Sequence, residues 1–262
     1  MKNKYLKNIF VGLVFFFLYL PIIILVILSF NTSKMNIIFE GFTLKWYNVL
    51  FHNRDLLEAF INTMIIAVTS TAVSTVVGTI GAVGLNKYDF FGKSLINKLI
   101  YIPIVIPEIV LGISLLSMYT LLKLELGMTT LILSHIAFSI PFVVVSVRSV
   151  LNPVIKTYEE AARDLGASEL TTFFKIVLPS IMPGVISGAT LAFTLSMDDV
   201  VISYFTAGPG SNTLPLQIYS IIKTGITPDV NALSTLLLLA TIIILTMSAF
   251  IQSRKIAAGE IR

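Results

Sequence analysis

The sequence predicts an all-α membrane protein with six transmembrane helices, and three observations carry that expectation. Of the 262 residues, 56% are hydrophobic and only 12% charged, against roughly 45–50% apolar and about 25% charged in soluble domains. The apolar residues gather in six stretches, roughly 9–30, 60–85, 99–122, 129–150, 181–206 and 231–252, each long enough to cross a hydrocarbon core that needs about 20 residues. Charge is also unevenly shared between the connecting segments. With the N-terminus inside, the inner segments hold Lys2, Lys4, Lys7, Lys87, Lys93, Lys98, Arg148, Lys156, Arg163, Lys175, Arg254, Lys255 and Arg262, and the outer ones only Lys34, Lys45, Arg54, Lys123 and Lys223. That excess places both termini in the cytoplasm.

The net charge of +4 therefore reports orientation in lipid, and no nucleic-acid partner is expected. Cysteine is absent, which excludes disulfides and thiolate metal sites. The first span follows Lys2, Lys4 and Lys7 as a signal peptide would, but its apolar run is too long and lacks a small-residue cleavage site, so it reads as a retained helix. In the outer loop from about 31 to 58, Trp46 and Tyr47 suit an interfacial belt. Span two opens with Asn62-Thr63 and carries Ser70, Ser74, Gly78, Gly81 and Gly84, small residues whose near-helical spacing lets helices approach closely in lipid.

The loop 86–98 contains Gly92-Lys93-Ser94, but the earlier glycine of a phosphate loop would fall on Lys87 and no strand precedes it. The chain is not expected to bind ATP. With two histidines, His52 and His135, and neither His-Glu-x-x-His nor Gly-x-Ser-x-Gly, it offers no catalytic constellation. No cofactor or metal is expected.

Span three carries Pro103 and Pro107, with Tyr101, Glu108, Gly112, Leu115 and Tyr119 along one helical face. His135 in span four reads as a hydrogen-bonded packing element. Span five contains Asp198-Asp199, and acids within a bilayer are costly enough that they normally face a polar cavity or a partner. Ser187, Thr190, Thr194 and Asp198 share one helical face; Asp199 points about 100° away, so Asp198 is the better substrate candidate. Glu108, Asp198 and Asp199 with Tyr101, Tyr119 and Thr194 make a pathway suited to a cation, because carboxylates pair with charge and ring faces attract ammonium groups. An alternative is that some of these acids cap helices or pair with a partner subunit. The outer segment 207–230 has a Gly208-Pro209-Gly210 turn and a short amphipathic helix over Leu214 to Lys223, as a docking surface or an interfacial support for span five.

The longest polar segment able to be helical joins spans four and five. Asn152 caps a helix opened by Pro153, Gly166 ends it in the left-handed conformation, and Ser168 with Glu169 starts a second helix expected to stop before Pro179. Glu159 and Arg163 form a favourable i,i+4 pair, whereas Glu160 and Asp164 place like charges at that spacing, a local fault that an outside cation would relieve. Leu170, Phe173, Phe174 and Val177 give the second helix an apolar face. A membrane-surface helix is the plainer reading.

Glu160-Ala161-Ala162, three residues, Gly166, nine residues, Ile176, one residue, Leu178-Pro179 resembles the EAA loop of ABC importer permeases. The resemblance implies a type I (MetI-like) permease fold, a cytoplasmic loop over 152–179 whose helix lies in a groove on the ATP-binding subunit, and ATPase-coupling roles for Glu160, Ala161, Ala162, Gly166, Ile176, Leu178 and Pro179. It divides the chain into an N-terminal helix and outer loop at 1–58, a transport domain at 59–253 and a cytoplasmic tail at 254–262, in the bacterial inner membrane. Leu195-Ser196-Met197-Asp198-Asp199-Val200-Val201-Ile202-Ser203 and Leu214-Pro215-Leu216-Gln217-Ile218-Tyr219-Ser220 are similar to permeases of the polyamine importers in that family. The implied partners are a homologous permease subunit, two ATP-binding subunits, an extracytoplasmic polyamine-binding protein and membrane lipid. An importer of another cation, such as thiamine or ferric iron, and a stand-alone channel or secondary transporter are the alternatives.

Overall fold

A computed structural model describes residues 2–33, 38–224 and 228–257. Lys34 of the outer loop and positions 258–262 of the expected tail lie outside them. The elements are α1 (Lys2–Leu28), α2 (Lys45–His52), α3 (Arg54–Lys87), α4 (Lys93–Leu99), α5 (Ile102–Val105), α6 (Glu108–Leu121), α7 (Met128–Val150), α8 (Pro153–Asp164), α9 (Glu169–Thr172), a π-helical turn Phe173–Val177, α10 (Leu178–Asp198), α11 (Val201–Thr206), α12 (Leu214–Thr224) and α13 (Pro228–Ala257). Among the described residues there is no strand beyond one isolated bridge, Asn31 to Phe42.

Among the described residues, four helices are long and apolar enough to cross a membrane: Lys7–Leu28, Arg54–Lys87, Met128–Val150 and Glu169–Asp198. A fifth span is formed if the bent pair Lys93–Val105 and Glu108–Leu121 counts as one, and Pro228–Ile243 is a shorter apolar helix. The bend of 111° falls at Ile106-Pro107, both in extended backbone. Proline forces its predecessor out of the α region, so the single span expected over 99–122 is broken. Tyr101 therefore does not share a helical face with Glu108 and Tyr119, contrary to the sequence expectation.

The chain forms two compact units, Met1–Leu57 with Ser220–Arg262, and Glu58–Tyr219. In the first, α13 packs on α1 and α2, and the Asn53 side-chain amide donates to Asp229 Oδ2 at 3.0 Å. Trp46 is buried, its Nε1–H donating to the Asn31 carbonyl at 2.5 Å. It is thus a packing residue, and the belt expected of it is not formed, because its one polar atom is satisfied inside the unit.

In the second unit α7 and α10 pack along their lengths around a core of Val143, Val144, Val147, Ile181, Ala192 and Ala82. Small residues let both α10 and α3 approach α7: a Cβ on Gly188 of α10 would lie 3.0 Å from Val143 Cα, and one on Gly78 of α3 2.7 Å from Val143 Cβ. This is close packing by small residues in lipid, as expected for Gly78. Gly84, by contrast, faces open space. Asn62 and Thr63 secure the segment before α12: Asn62 Nδ2 donates to the Asn212 carbonyl at 3.1 Å, and Leu214 N–H donates to Thr63 Oγ1 at 2.8 Å.

Candidate functional site

Two regions of the second unit concentrate polar chemistry. The first is the turn between α8 and α9. Gly166 has φ +85°; its N–H donates to Arg163 O at 2.8 Å and Ala167 N–H donates to Ala162 O at 3.0 Å. This pair of bonds is a Schellman motif, which ends a helix through one left-handed residue, usually glycine. Ser168 then caps α9, its Oγ accepting from Thr171 N–H at 3.2 Å.

The second helix does not stop before Pro179. It widens into the π turn Phe173–Val177 and continues as α10. A wide turn removes the i→i−4 bond that proline lacks, so Pro179 enters the helix without breaking it, and the coupling segment runs directly into span five.

Charge fixes the turn to its neighbours. Arg163 reaches Glu159 at 3.7 Å and Glu169 at 3.6 Å, and Glu169 also meets Lys87 at the end of α3 at 3.5 Å. These groups, with Glu160, Asn152 and Lys156, line a cleft of about 400 Å³. Glu160 and Asp164 are exposed and among the described residues neither makes an ion pair. Ala162 and Ile155 are buried, while Ala161 is exposed. Ile176 and Leu178 are half-buried, and Pro179 is exposed. The apolar face expected over Leu170 to Val177 is divided: Val177 is buried, but Leu170 is 72% and Phe174 61% exposed, beside Leu165 at 90%.

Beside that loop, Lys93 pairs with Asp89 at 2.7 Å and holds its carboxyl below the usual range. Tyr101 lines a hollow with Asp89, Lys93, Asn97 and Lys98, grouping it with the 86–98 loop.

The second region is the break in span five. Helix α10 ends at Asp198, Asp199 is extended, and α11 begins at Val201. Buried Asp199 stabilises the break by accepting from Ile202 N–H at 3.1 Å, Ser203 N–H at 2.7 Å and Ser203 Oγ–H at 2.8 Å. On its other side His135 of α7 places Nε2 3.5 Å from Asp199 Oδ2 and 3.2 Å from Ser203 Oγ. His135 Nδ1 is 2.7 Å from Ser196 Oγ, itself 3.2 Å from Ser70 Oγ of α3.

Asp198, next to this buried network, is exposed, as is Glu108 at the start of α6. Helix α6 packs on α11 there, with Gly112 so near Phe205 that a Cβ would lie 2.7 Å from the ring. Thr194 is exposed and bonded to the Thr190 carbonyl at 2.9 Å. Tyr119 is buried in a core with Leu115, Phe138 and Ile202, its hydroxyl 2.9 Å from Ser134 Oγ, which makes it a packing residue in this conformation. For Ser203 the sequence signal is its place four residues after Asp199; Ser196 carries none for this network.

A family profile described as "Binding-protein-dependent transport system inner membrane component" matches residues 74–256, a stretch that includes both regions. The chain belongs to this family. Members of the binding-protein-dependent transport family that it resembles include the spermidine/putrescine transport system permease protein PotC of Escherichia coli (strain K12), 44% identical over 255 residues covering 97% of each chain. The putrescine transport system permease protein PotI of the same organism is 39% identical over 247 residues, covering 92% of this chain and 88% of PotI. In fold, the chain is similar to one in a crystal structure of a bacterial ABC transporter involved in the import of the acidic polysaccharide alginate. There the TM-score is 0.71 at 15% identity, over 96% of this chain and 95% of the other. The chain is thus a transporter subunit of the inner-membrane component family and not an enzyme.

Proposed function

We propose that this chain is a permease subunit of an ATP-driven polyamine importer, forming the membrane pathway with a homologous permease. The observation that carries the reading is 44% identity to a spermidine/putrescine permease across 97% of both chains. The exposed Asp198 and Glu108 give it a chemical basis, since carboxylates in lipid are retained where a cation passes. Six spans with both termini in the cytoplasm complete the topology. Two ATP-binding subunits dock on α8 and the exposed Leu165, Leu170 and Phe174, and an extracytoplasmic binding protein delivers substrate from the other side.

The coupling follows from continuity. ATP binding moves α8; the Schellman turn at Gly166 transmits the motion to α9, and the unbroken helix through the π turn carries it along α10 to the acids at 198–199. The cavity opens outward to receive substrate, and hydrolysis resets it inward. The test is uptake of labelled spermidine by the complete complex in proteoliposomes, with unlabelled competitors. Competition by putrescine but not by thiamine is expected; loss of signal to thiamine, or no spermidine uptake, overturns the polyamine assignment.

A further inference from the structure

The hydrogen-bond directions in the network at the span-five break leave little freedom. Ser203 Oγ–H is committed to Asp199 Oδ2 at 2.8 Å, so at 3.2 Å Ser203 accepts from His135 Nε2–H. With its proton on Nε2, the ring accepts at Nδ1 from Ser196 Oγ–H, at 2.7 Å, and Ser196 in turn accepts from Ser70 at 3.2 Å, a shorter contact than Ser70 makes to the Ala67 carbonyl at 3.4 Å. Every donor finds an acceptor, and the chain runs in one direction from α3 through α10 and α7 to α11. All five side chains are buried. A fully satisfied buried network of this kind rigidifies what it joins.

What it joins is the one place where span five is not helical. Asp199 holds the first N–H groups of α11 on one side, and His135 is the side chain that holds Asp199 and Ser203 from a different helix. The residue immediately before Asp199 is the exposed Asp198. We infer that His135 is a positioning residue for transport: it fixes Asp199 and Ser203 at the break and thereby sets where the Asp198 carboxylate is presented to the substrate, without touching the substrate itself. The inference rests on the reading that Asp198 lies on the substrate pathway. A histidine is suited to this because its two ring nitrogens, on different edges of one rigid ring, accept from α10 and donate to α11 at once. An apolar side chain of similar volume would fill the space but cut the link between Ser196 and Ser203, leaving Ser203 only Asp199 and Ser196 only Ser70.

The experiment compares His135→Leu, His135→Gln, Ser203→Ala and Asp198→Asn in the complete complex, measuring spermidine uptake per assembled complex, with assembly scored by co-purification of all subunits. His135→Leu should lose roughly ten- to hundred-fold of its uptake per complex, the scale of a misplaced binding group. His135→Gln, whose amide keeps one donor and one acceptor, should recover most of it. A core residue with no positioning role would show the reverse: His135→Leu would transport normally per assembled complex, and that result overturns the inference. If His135→Leu fails to assemble, Ser203→Ala decides: a marked fall in uptake per complex supports positioning, and normal uptake overturns it. Unchanged uptake in Asp198→Asn would instead remove the pathway reading on which the inference stands. Loss in Asp198→Asn with normal His135→Leu would remove the inference alone.

Discussion

Replacing Gly166 separates the geometry of the α8–α9 turn from its surface. The residue sits at φ +85°, and nothing lies within 4 Å of where a Cβ would be. Gly166→Ala therefore meets no steric obstacle from neighbours, and its cost is that of an L-residue in the left-handed region, about 1–2 kcal/mol. An energy of that size shifts a local equilibrium by a factor of roughly 5–30. Gly166→Asn should cost less, because asparagine tolerates that conformation. Gly166→Pro should cost most, since its ring locks φ near −65° and removes the N–H that donates to Arg163 O at 2.8 Å. If the turn transmits ATPase motion to span five, uptake per assembled complex should fall in the order Gly, Asn, Ala, Pro, with the complex still inserted. Wild-type uptake in the proline variant would refute the coupling role, and equal loss in Asn and Ala would refute the conformational explanation.

Three further outcomes follow from the same structure. Glu160→Lys should uncouple transport without preventing insertion, because Glu160 is exposed and makes no ion pair among the described residues; unimpaired uptake counts against a contact with the ATPase. Asp198→Asn should weaken polyamine uptake while the complex still assembles, read by co-purification and initial rates. Gly78→Leu would place a Cβ 2.7 Å from Val143 Cβ, overpacking that costs about 1–3 kcal/mol. A lower inactivation temperature of the detergent-solubilised complex is expected, and an unchanged one would show that α3 and α7 can move apart.

Much of this was legible because it is local. Asn152 through Glu169 carry their own helix starts and stops, and the left-handed glycine, the serine cap and the Glu159–Arg163 pair all form where spacing places them. Pro107 and Pro179 were harder. Both are prolines in apolar runs, yet one breaks its span by 111° while the other is carried through a π turn, a widening that no residue type announces. The function of Asp199 was hidden for a related reason: its partners Ile202 and Ser203 are near in sequence, but they become donors only once the helix breaks at 199. His135 gave a polar ring and no address, since Ser196 and Ser203 reach it from two other helices and Ser70 joins only through Ser196.

The central claim is tested most directly by ATP hydrolysis of the complex reconstituted from this chain, its homologous permease and the ATP-binding subunits, with and without spermidine-loaded binding protein. Hydrolysis should rise when loaded binding protein is added, joining the coupling segment to the polyamine pathway in one reading. Basal hydrolysis indifferent to spermidine-loaded binding protein would contradict the polyamine assignment and leave the permease to carry another solute.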